Sequence, residues 1–562
     1  MSTTIPAYEA LAADIKALGT TSVFGLMSDD TALFVATLDA MGVRFYGARH
    51  ENNAIAMAEG YSSATGGLAI AIIGRGPAAA NALHGANYVL RAGSRVLLIF
   101  GDTANTAVPP NSLGPDTKLF PCAAMLQTSG IRTMVASDPL TARRTLAQAI
   151  AATHQGTVAL LLPMNVQFAL IDPEATQPPP VADLSLPRKA ARPAAIKAAA
   201  ALLADSRKPL IVAGLGAFRA GARDALVRLG DHLGAGLGTT LKGKDLFRGH
   251  PFDCGVLGSF SHGGGRRLIE QADCVIAFGA GMNMRTTSYG MALPPDVPLI
   301  HVDSRRDNIG RWFPADVAVV ADATLAAEQL IAATPARDKA DMPLRSPELQ
   351  DWLASYTMER EFKPEHTPRT MDPRSLGLEL NRLLPENRNA VFDSGNFLLI
   401  TPYISVPGPG HTKQSSDFSS IGMGFGTALG FAVGAPDRPT VLFIGDGSFL
   451  MTMGELETVV REDIPLIVVL MNDCAYGAEM HYLKLRNMAV NMSVFPDIDY
   501  APIAAGFGFQ AETVRTLDEL RKLAPMLAKP EGPIFLDCKI NGQVPASFIF
   551  EAVEFERRKP KA

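Results

Sequence analysis

Cysteine is scarce in this chain. Its five cysteines, Cys122, Cys254, Cys274, Cys474 and Cys538, lie far apart in 562 residues. That spacing builds neither a disulfide framework nor a CxxC pair. Charge is sparse as well: charged residues make up 19%, the formal net charge is −5, and no dense Lys/Arg run occurs. Such a balance gives no electrostatic reason to expect a nucleic acid partner. No apolar stretch approaches the roughly 18 residues that would suggest a membrane span. The opening pattern Tyr8-Glu9-Ala10-Leu11-Ala12-Ala13-Asp14-Ile15 carries acids inside an amphipathic repeat, unlike a signal peptide. The expectation is a cytoplasmic protein acting on small molecules, without nucleic acid or membrane. Apolar residues, by contrast, reach 47%. The length allows three or four domains of roughly 150 residues each.

Two short segments near the C-terminal end carry the most chemistry. Gly445-Asp446-Gly447-Ser448-Phe449 closes the apolar run Thr440–Ile444, and Met471-Asn472-Asp473-Cys474-Ala475-Tyr476-Gly477 closes Pro465–Leu470. Asp446 and Asp473 are 27 positions apart, room for one strand–helix–strand crossover. Two buried strands that each end in a carboxylate make an oxygen-lined pocket at the carboxyl edge of a parallel sheet, where α/β folds bind ligands. Hard oxygen donors suit Mg²⁺, which usually also takes phosphate oxygens. Gly445 and Gly447 let backbone approach a phosphate, and a helix expected to begin near Thr452 adds a positive end. The pattern reads as a Mg²⁺–diphosphate site.

This pattern resembles the signature of thiamine-diphosphate-dependent enzymes of the acetolactate synthase and pyruvate decarboxylase superfamily. The resemblance assigns the metal to Asp446, Asp473 and the Ala475 carbonyl. Asp473 is a departure, because the family usually has a neutral Asn there; Asn472 stays open as the alternative ligand. A second segment, Arg49-His50-Glu51 leading to Ala56-Met57-Ala58-Glu59-Gly60-Tyr61, resembles the family's RHE…GY motif. It implies that Glu51 hydrogen-bonds the pyrimidine ring and promotes the tautomer that removes the thiazolium proton. Asp393-Ser394-Gly395-Asn396 resembles a strand-to-loop motif from which Gly395 and Asn396 would reach the diphosphate. Gly422 and Met423 match the segment whose bulky side chain holds the cofactor bent. Gly447, Ser448 and Tyr476 complete the cofactor contacts, and Asn81, after a Gly74-Arg75-Gly76-Pro77 turn, would lie near the pyrimidine.

The same resemblance implies three α/β domains with doubly wound parallel sheets. They are a pyrimidine-binding domain at 1–170, a central domain at 188–333 and a diphosphate-binding domain at 371–550, with a tail at 551–562. Apolar runs between helical patterns support this, with strands expected at Ser22–Leu26, Arg44–Ala48, Leu68–Gly74, Arg95–Gly101 and Thr157–Pro163 in the first block. A homodimer or dimer of dimers is implied, with Glu51 of one subunit serving a diphosphate held by another. FAD or ADP is an option at Phe278–Arg285, although most relatives keep that domain without a nucleotide.

Substrate chemistry is less constrained. Glu479 falls where related decarboxylases carry a catalytic Glu, and Asp29 falls over their catalytic Asp. Carboxylates there could shuttle protons; His481 is a further candidate. Asp29 and Asp30 could instead cap the following helix, and Glu479 and His481 could be a solvated helix face. The histidine pair of those decarboxylases and the FQE of acetolactate synthases are both missing from Pro115–Thr128, where Lys118, Cys122 and Gln127 stand. The leading expectation is an acetolactate synthase-like 2-oxo acid decarboxylase or carboligase. A 2-hydroxyacyl-CoA or dione-cleaving lyase is the runner-up, and a non-catalytic cofactor-binding homologue is the alternative of another class.

Overall fold

The computed structural model describes residues 4–106, 116–185 and 187–558. Three six-stranded sheets follow one another along the chain, parallel at every pairing. The first runs Arg44–Gly47, Ser22–Leu26, Ala69–Ile73, Val96–Asp102, Val158–Pro163, Arg132–Val135 across its width. The last runs Thr412–Gln414, Asn389–Phe392, Thr440–Gly445, Leu466–Asn472, Ile534–Lys539, Gln510–Val514. Counted within each sheet, both follow the order 2-1-3-4-6-5, whereas the middle sheet follows 3-2-1-4-5-6. Central strands such as Leu466–Asn472 are buried along their whole length, as sheets covered by helices on both faces require.

Besides a short antiparallel pair, Ile5–Pro6 with Leu170–Ile171, four strands of these sheets were not expected from the sequence: Arg132–Val135, Asp253–Val256, Thr412–Gln414 and Gln510–Val514. Each lies at a sheet edge. Half of an edge strand faces solvent, so its polar alternation hides the apolar run that betrays a central strand. The polar, Pro-containing stretch 334–373 between the central and last units contains the helix Pro347–Ser355. Among the described residues of 172–187 there is neither helix nor strand.

The first and last units are joined by two helices, Glu51–Thr65 and Met423–Gly434. Small residues let their backbones touch. A Cβ on Gly60 would fall 2.0 Å from the Thr427 carbonyl oxygen, and one on Gly430 would fall 1.8 Å from that of Met57. Polar contacts reinforce the seam: Glu455 accepts from the Arg49 backbone at 3.0 Å and from Asn53 at 2.9 Å. Glu59, fully buried, accepts from Lys413 at 2.7 Å, Ser94 at 2.7 Å and Tyr88 at 3.2 Å. Lys413 is shared with Asp417, which also binds Lys242 of the central unit. The charges of all three units thereby close on one another.

Overpacking a tight contact of this kind typically costs about 1–3 kcal/mol. Gly430→Ala should reach the upper part of that range, because the obstacle is backbone. Urea unfolding of the variant checks this; an unchanged midpoint would show that the helices separate without loss.

Candidate functional site

Three neighbouring strands of the last sheet deliver acids to one edge. Asp393 follows Asn389–Phe392, Asp446 follows Thr440–Gly445, and Asp473 follows Leu466–Asn472. The first two strands flank the point where the strand order reverses, the usual ligand crevice of a doubly wound sheet. A cavity of about 1100 Å³ opens there, and Gly395, Asn396, Asp446, Gly447, Ser448 and Asp473 line it. Ala475, Tyr476 and Glu479 lie on the same wall. The helix expected near Thr452 starts at Asp446 itself. The strand passes directly into it, leaving Asp446 in its first turn with its carboxylate accepting from the Gly447 amide at 3.0 Å.

Asp446 and Asp473 are hydrogen-bonded to each other, and the Ala475 amide points at both. Burial pushes Asp446 up to about 7 and raises Asp473 well above the usual range; the Asp446 charge adds to the shift at Asp473. Among the described residues no cationic side chain forms an ion pair with either acid. The nearby Asp537 is already matched by Lys539 at 3.0 Å. The turn that carries Asp473 is held by Asn472, whose side chain donates to Asp537 at 2.9 Å and accepts from the Cys474 amide at 3.2 Å. Cys474 is left-handed at φ 55°. Asn472 is therefore committed to the turn, which leaves Asp473 to face Asp446. Gly477 makes room for it, since a Cβ there would lie 2.3 Å from Asp473 Oδ2.

Asp393 is an organising residue that motif reading passed over. Fully buried, it accepts from the amides of Gly422 at 2.8 Å and Gly424 at 3.1 Å and from Ser415 Oγ at 2.8 Å. It thus holds the start of the helix whose first residue is Met423, itself 3% exposed. Gly422 precedes it with φ 89°. The Ser420 hydroxyl in this loop is buried without a partner. Asn396 lines the cavity, but its amide is spent on the chain, donating to Val544 at 2.9 Å and accepting from Ala546 at 2.8 Å.

The other candidates divide. Glu479 reaches the cavity, whereas His481, two residues on, is buried against the Gly542 backbone with Nε2 unpartnered. A step of two residues turns a helix by about 200°, so His481 belongs to the packing face. Glu51 begins its helix, 7% exposed, and accepts from Asn81 at 3.2 Å. It is not among the residues that line this cavity. Asp29 also lies elsewhere, largely exposed at the carboxyl edge of the first sheet, where Lys118 holds its carboxyl below the usual range. Asp30 is buried and accepts from Ser28 at 2.6 Å and the Arg75 amide at 3.1 Å. Neither caps a helix; Thr31 occupies that position. Of the Pro115–Thr128 stretch, Pro115 lies outside the described residues.

The far arm of the cavity runs along the central unit to Asn283, Arg285 and Tyr289. The helix Ser547–Arg558 closes it: Phe548 lies under the Arg285 guanidinium at 4.5 Å, and Phe555 stacks on Tyr289 at 4.7 Å. Residues 559–562 of the expected tail lie outside the described residues. The donors present fit a divalent cation and an anionic ligand: two facing acids without a counter-charge, and a buried hydroxyl without a partner.

Comparison with known proteins agrees with this geometry. Three models match in chain order: the thiamine pyrophosphate enzyme N-terminal TPP binding domain at 6–121, the central domain at 196–330 and the C-terminal TPP binding domain at 393–538. The probable acetolactate synthase large subunit of Methanocaldococcus jannaschii is 27% identical over 95% of this chain and 91% of its own. The sulfoacetaldehyde acetyltransferase of Rhodobacter capsulatus is 27% identical over 91% and 90%. The probable 2-ketoarginine decarboxylase of Pseudomonas aeruginosa is 28% identical over 92% and 91%.

The acid pair fixes a pH response. In the unfolded chain both acids ionise near pH 4, while in the fold they keep protons to about pH 7 or beyond. The fold then binds more protons than the unfolded chain, and stability falls as pH rises through that window. Melting of the metal-free protein between pH 5 and pH 8 should show the fall. Asp473→Asn should flatten it, and an identical slope in that variant would mean that the pair is not its source.

Proposed function

The chain belongs to the thiamine pyrophosphate enzymes, and from that premise we propose that it is an acetolactate synthase-like 2-oxo acid decarboxylase or carboligase. One observation carries the reading: Asp446 and Asp473 face each other, without a counter-charge, inside a cavity large enough for cofactor and substrate. In this reading they hold Mg²⁺ together with the Ala475 carbonyl. Gly395, Gly447, Ser448 and Tyr476 surround the diphosphate, Gly422 shapes the approach, and Met423 supports the bend. Bound thiamine diphosphate supplies a nucleophilic carbon that also accepts the electron pair of a broken carbon–carbon bond. The chain contributes placement and proton handling. Glu479, on the wall beside Asp473, is the acid positioned to give or take a proton at the substrate carbonyl oxygen.

The cavity of one chain does not include Glu51, so the reading needs a second copy. Glu51 and Asn81 of one chain would meet the pyrimidine of a cofactor held by another, in a homodimer or a dimer of dimers. Exposed apolar side chains support such burial. Met27, Leu33 and Leu119 stand out on the first unit, and Leu450 and Met451 on the last. Isolated exposed apolar residues are ordinary, but grouped ones mark association surfaces. A 2-hydroxyacyl-CoA or dione-cleaving lyase is the second reading. It is favoured by the reach of the cavity to Tyr289 and Phe555, more room than a small 2-oxo acid needs.

Glu51→Gln should keep the fold and most cofactor affinity while turnover drops about 10²-fold or more, the range of a lost proton-transfer partner. Full activity in that variant would refute its role. Asp446→Ala should abolish Mg²⁺-dependent cofactor binding in calorimetric titration, and an unchanged isotherm would contradict the metal assignment.

A further inference from the structure

The cavity is lined by charges of both signs. Asp446, Asp473 and Glu479 line it together with Arg91, Lys242, Arg285 and Asp417, and among the described residues none of these cations pairs with Asp446 or Asp473. The three cations are not equally free. Lys242 is bound to Asp417, which Lys413 also engages. Arg285 lies over the Phe548 ring and donates to its carbonyl oxygen at 3.2 Å. Arg91, in the last turn of the helix Leu83–Ala92, has no hydrogen bond and no ion pair among the described residues. Its guanidinium rests on the ring of Phe418, 5.1 Å from the centroid, and is exposed to the cavity.

That support matters because Phe418 belongs to the turn Ser416–Phe418 that feeds directly into Gly422 and Met423. The turn is fixed by Asp417 between two lysines. Two residues beyond Phe418, the Ser420 hydroxyl is buried with no partner. An unspent planar fork of N–H donors stacked on an aromatic face is the arrangement that grips carboxylate, sulfonate or phosphate groups. The thiamine pyrophosphate itself is provided for, in the reading proposed above, by Asp446, Asp473 and the residues around them.

We propose that Arg91 reads a second acidic group on the substrate, carried away from the reacting carbonyl and its own carboxylate, and so favours donors or acceptors that bear one. The inference rests on the cofactor reading of Asp446 and Asp473 and deepens it. It makes Arg91 a specificity residue contributed by the first unit of the same chain that holds the metal.

The test uses the holoenzyme loaded with thiamine diphosphate and Mg²⁺, whose loading is verified first by titration. Failure at that step overturns the cofactor reading. Calorimetric titrations then compare 2-oxobutyrate, whose far end is an uncharged methyl group, with 2-oxoglutarate, sulfopyruvate and phosphonopyruvate, which add a second acid of three types. At least one acidic analogue should bind about tenfold or more tightly than 2-oxobutyrate, the scale of a charge-assisted hydrogen bond. Arg91→Met should collapse that ratio and Arg91→Lys should keep part of it. Where turnover is measurable, the change should fall on KM rather than kcat. A holoenzyme with no preference for any acidic analogue, or an Arg91→Met variant that keeps the full ratio, would overturn the proposal while leaving the cofactor site standing.

Discussion

Two carboxylates held face to face without a cation are the constraint around which the last unit is arranged. Asp446 and Asp473 stand at the ends of adjacent parallel strands because the register of those strands ends there. Each is surrounded by chain already committed elsewhere. Asn472 is tied to Asp537, Asn396 to the segment at 544–546, and Asp393 to the loop before Met423. What remains at this point is a pair of acids that burial and each other keep protonated. Such a pair keeps its protons until something positive takes their place.

The rest of the molecule fixes this edge relative to the others. The first and last sheets share one strand order and meet through a helix pair so close that glycine is required at the crossing. A buried chain of charges, Glu59, Lys413, Asp417 and Lys242, then reaches into the central unit. Each acid in it has a cation beside it, so the charges support the interface instead of opposing it. The loop that carries Met423 is anchored from both sides, by Asp393 beneath and Asp417 ahead of it.

Much of this was legible in the sequence. The central strands declared themselves as unbroken apolar runs, and Ser22–Leu26 and Thr440–Gly445 fall where the runs ended. Four of the six edge strands did not, because solvent on one side replaces hydrophobicity with alternation. At the site, Asp446 and Asp473 could be read from spacing, since a crossover of fixed length puts two strand ends side by side. His481 could not be sorted from Glu479 without knowing which face of a short helix turns inward. Asp393 was hidden for another reason: its partners are backbone amides of residues about 30 positions away, and no side-chain pattern records them. The choice between Asn472 and Asp473 likewise depended on Asp537, a residue on a different strand.

The terminal helix Ser547–Arg558 forms one wall of the cavity through Phe548 and Phe555, and its Glu551 and Ser547 are tied to Ser259 of the central unit. A helix that belongs to none of the three sheets is thus the piece that closes the cavity. Cleavage of the backbone ahead of Ser547 would leave all three sheets intact and still breach the enclosure.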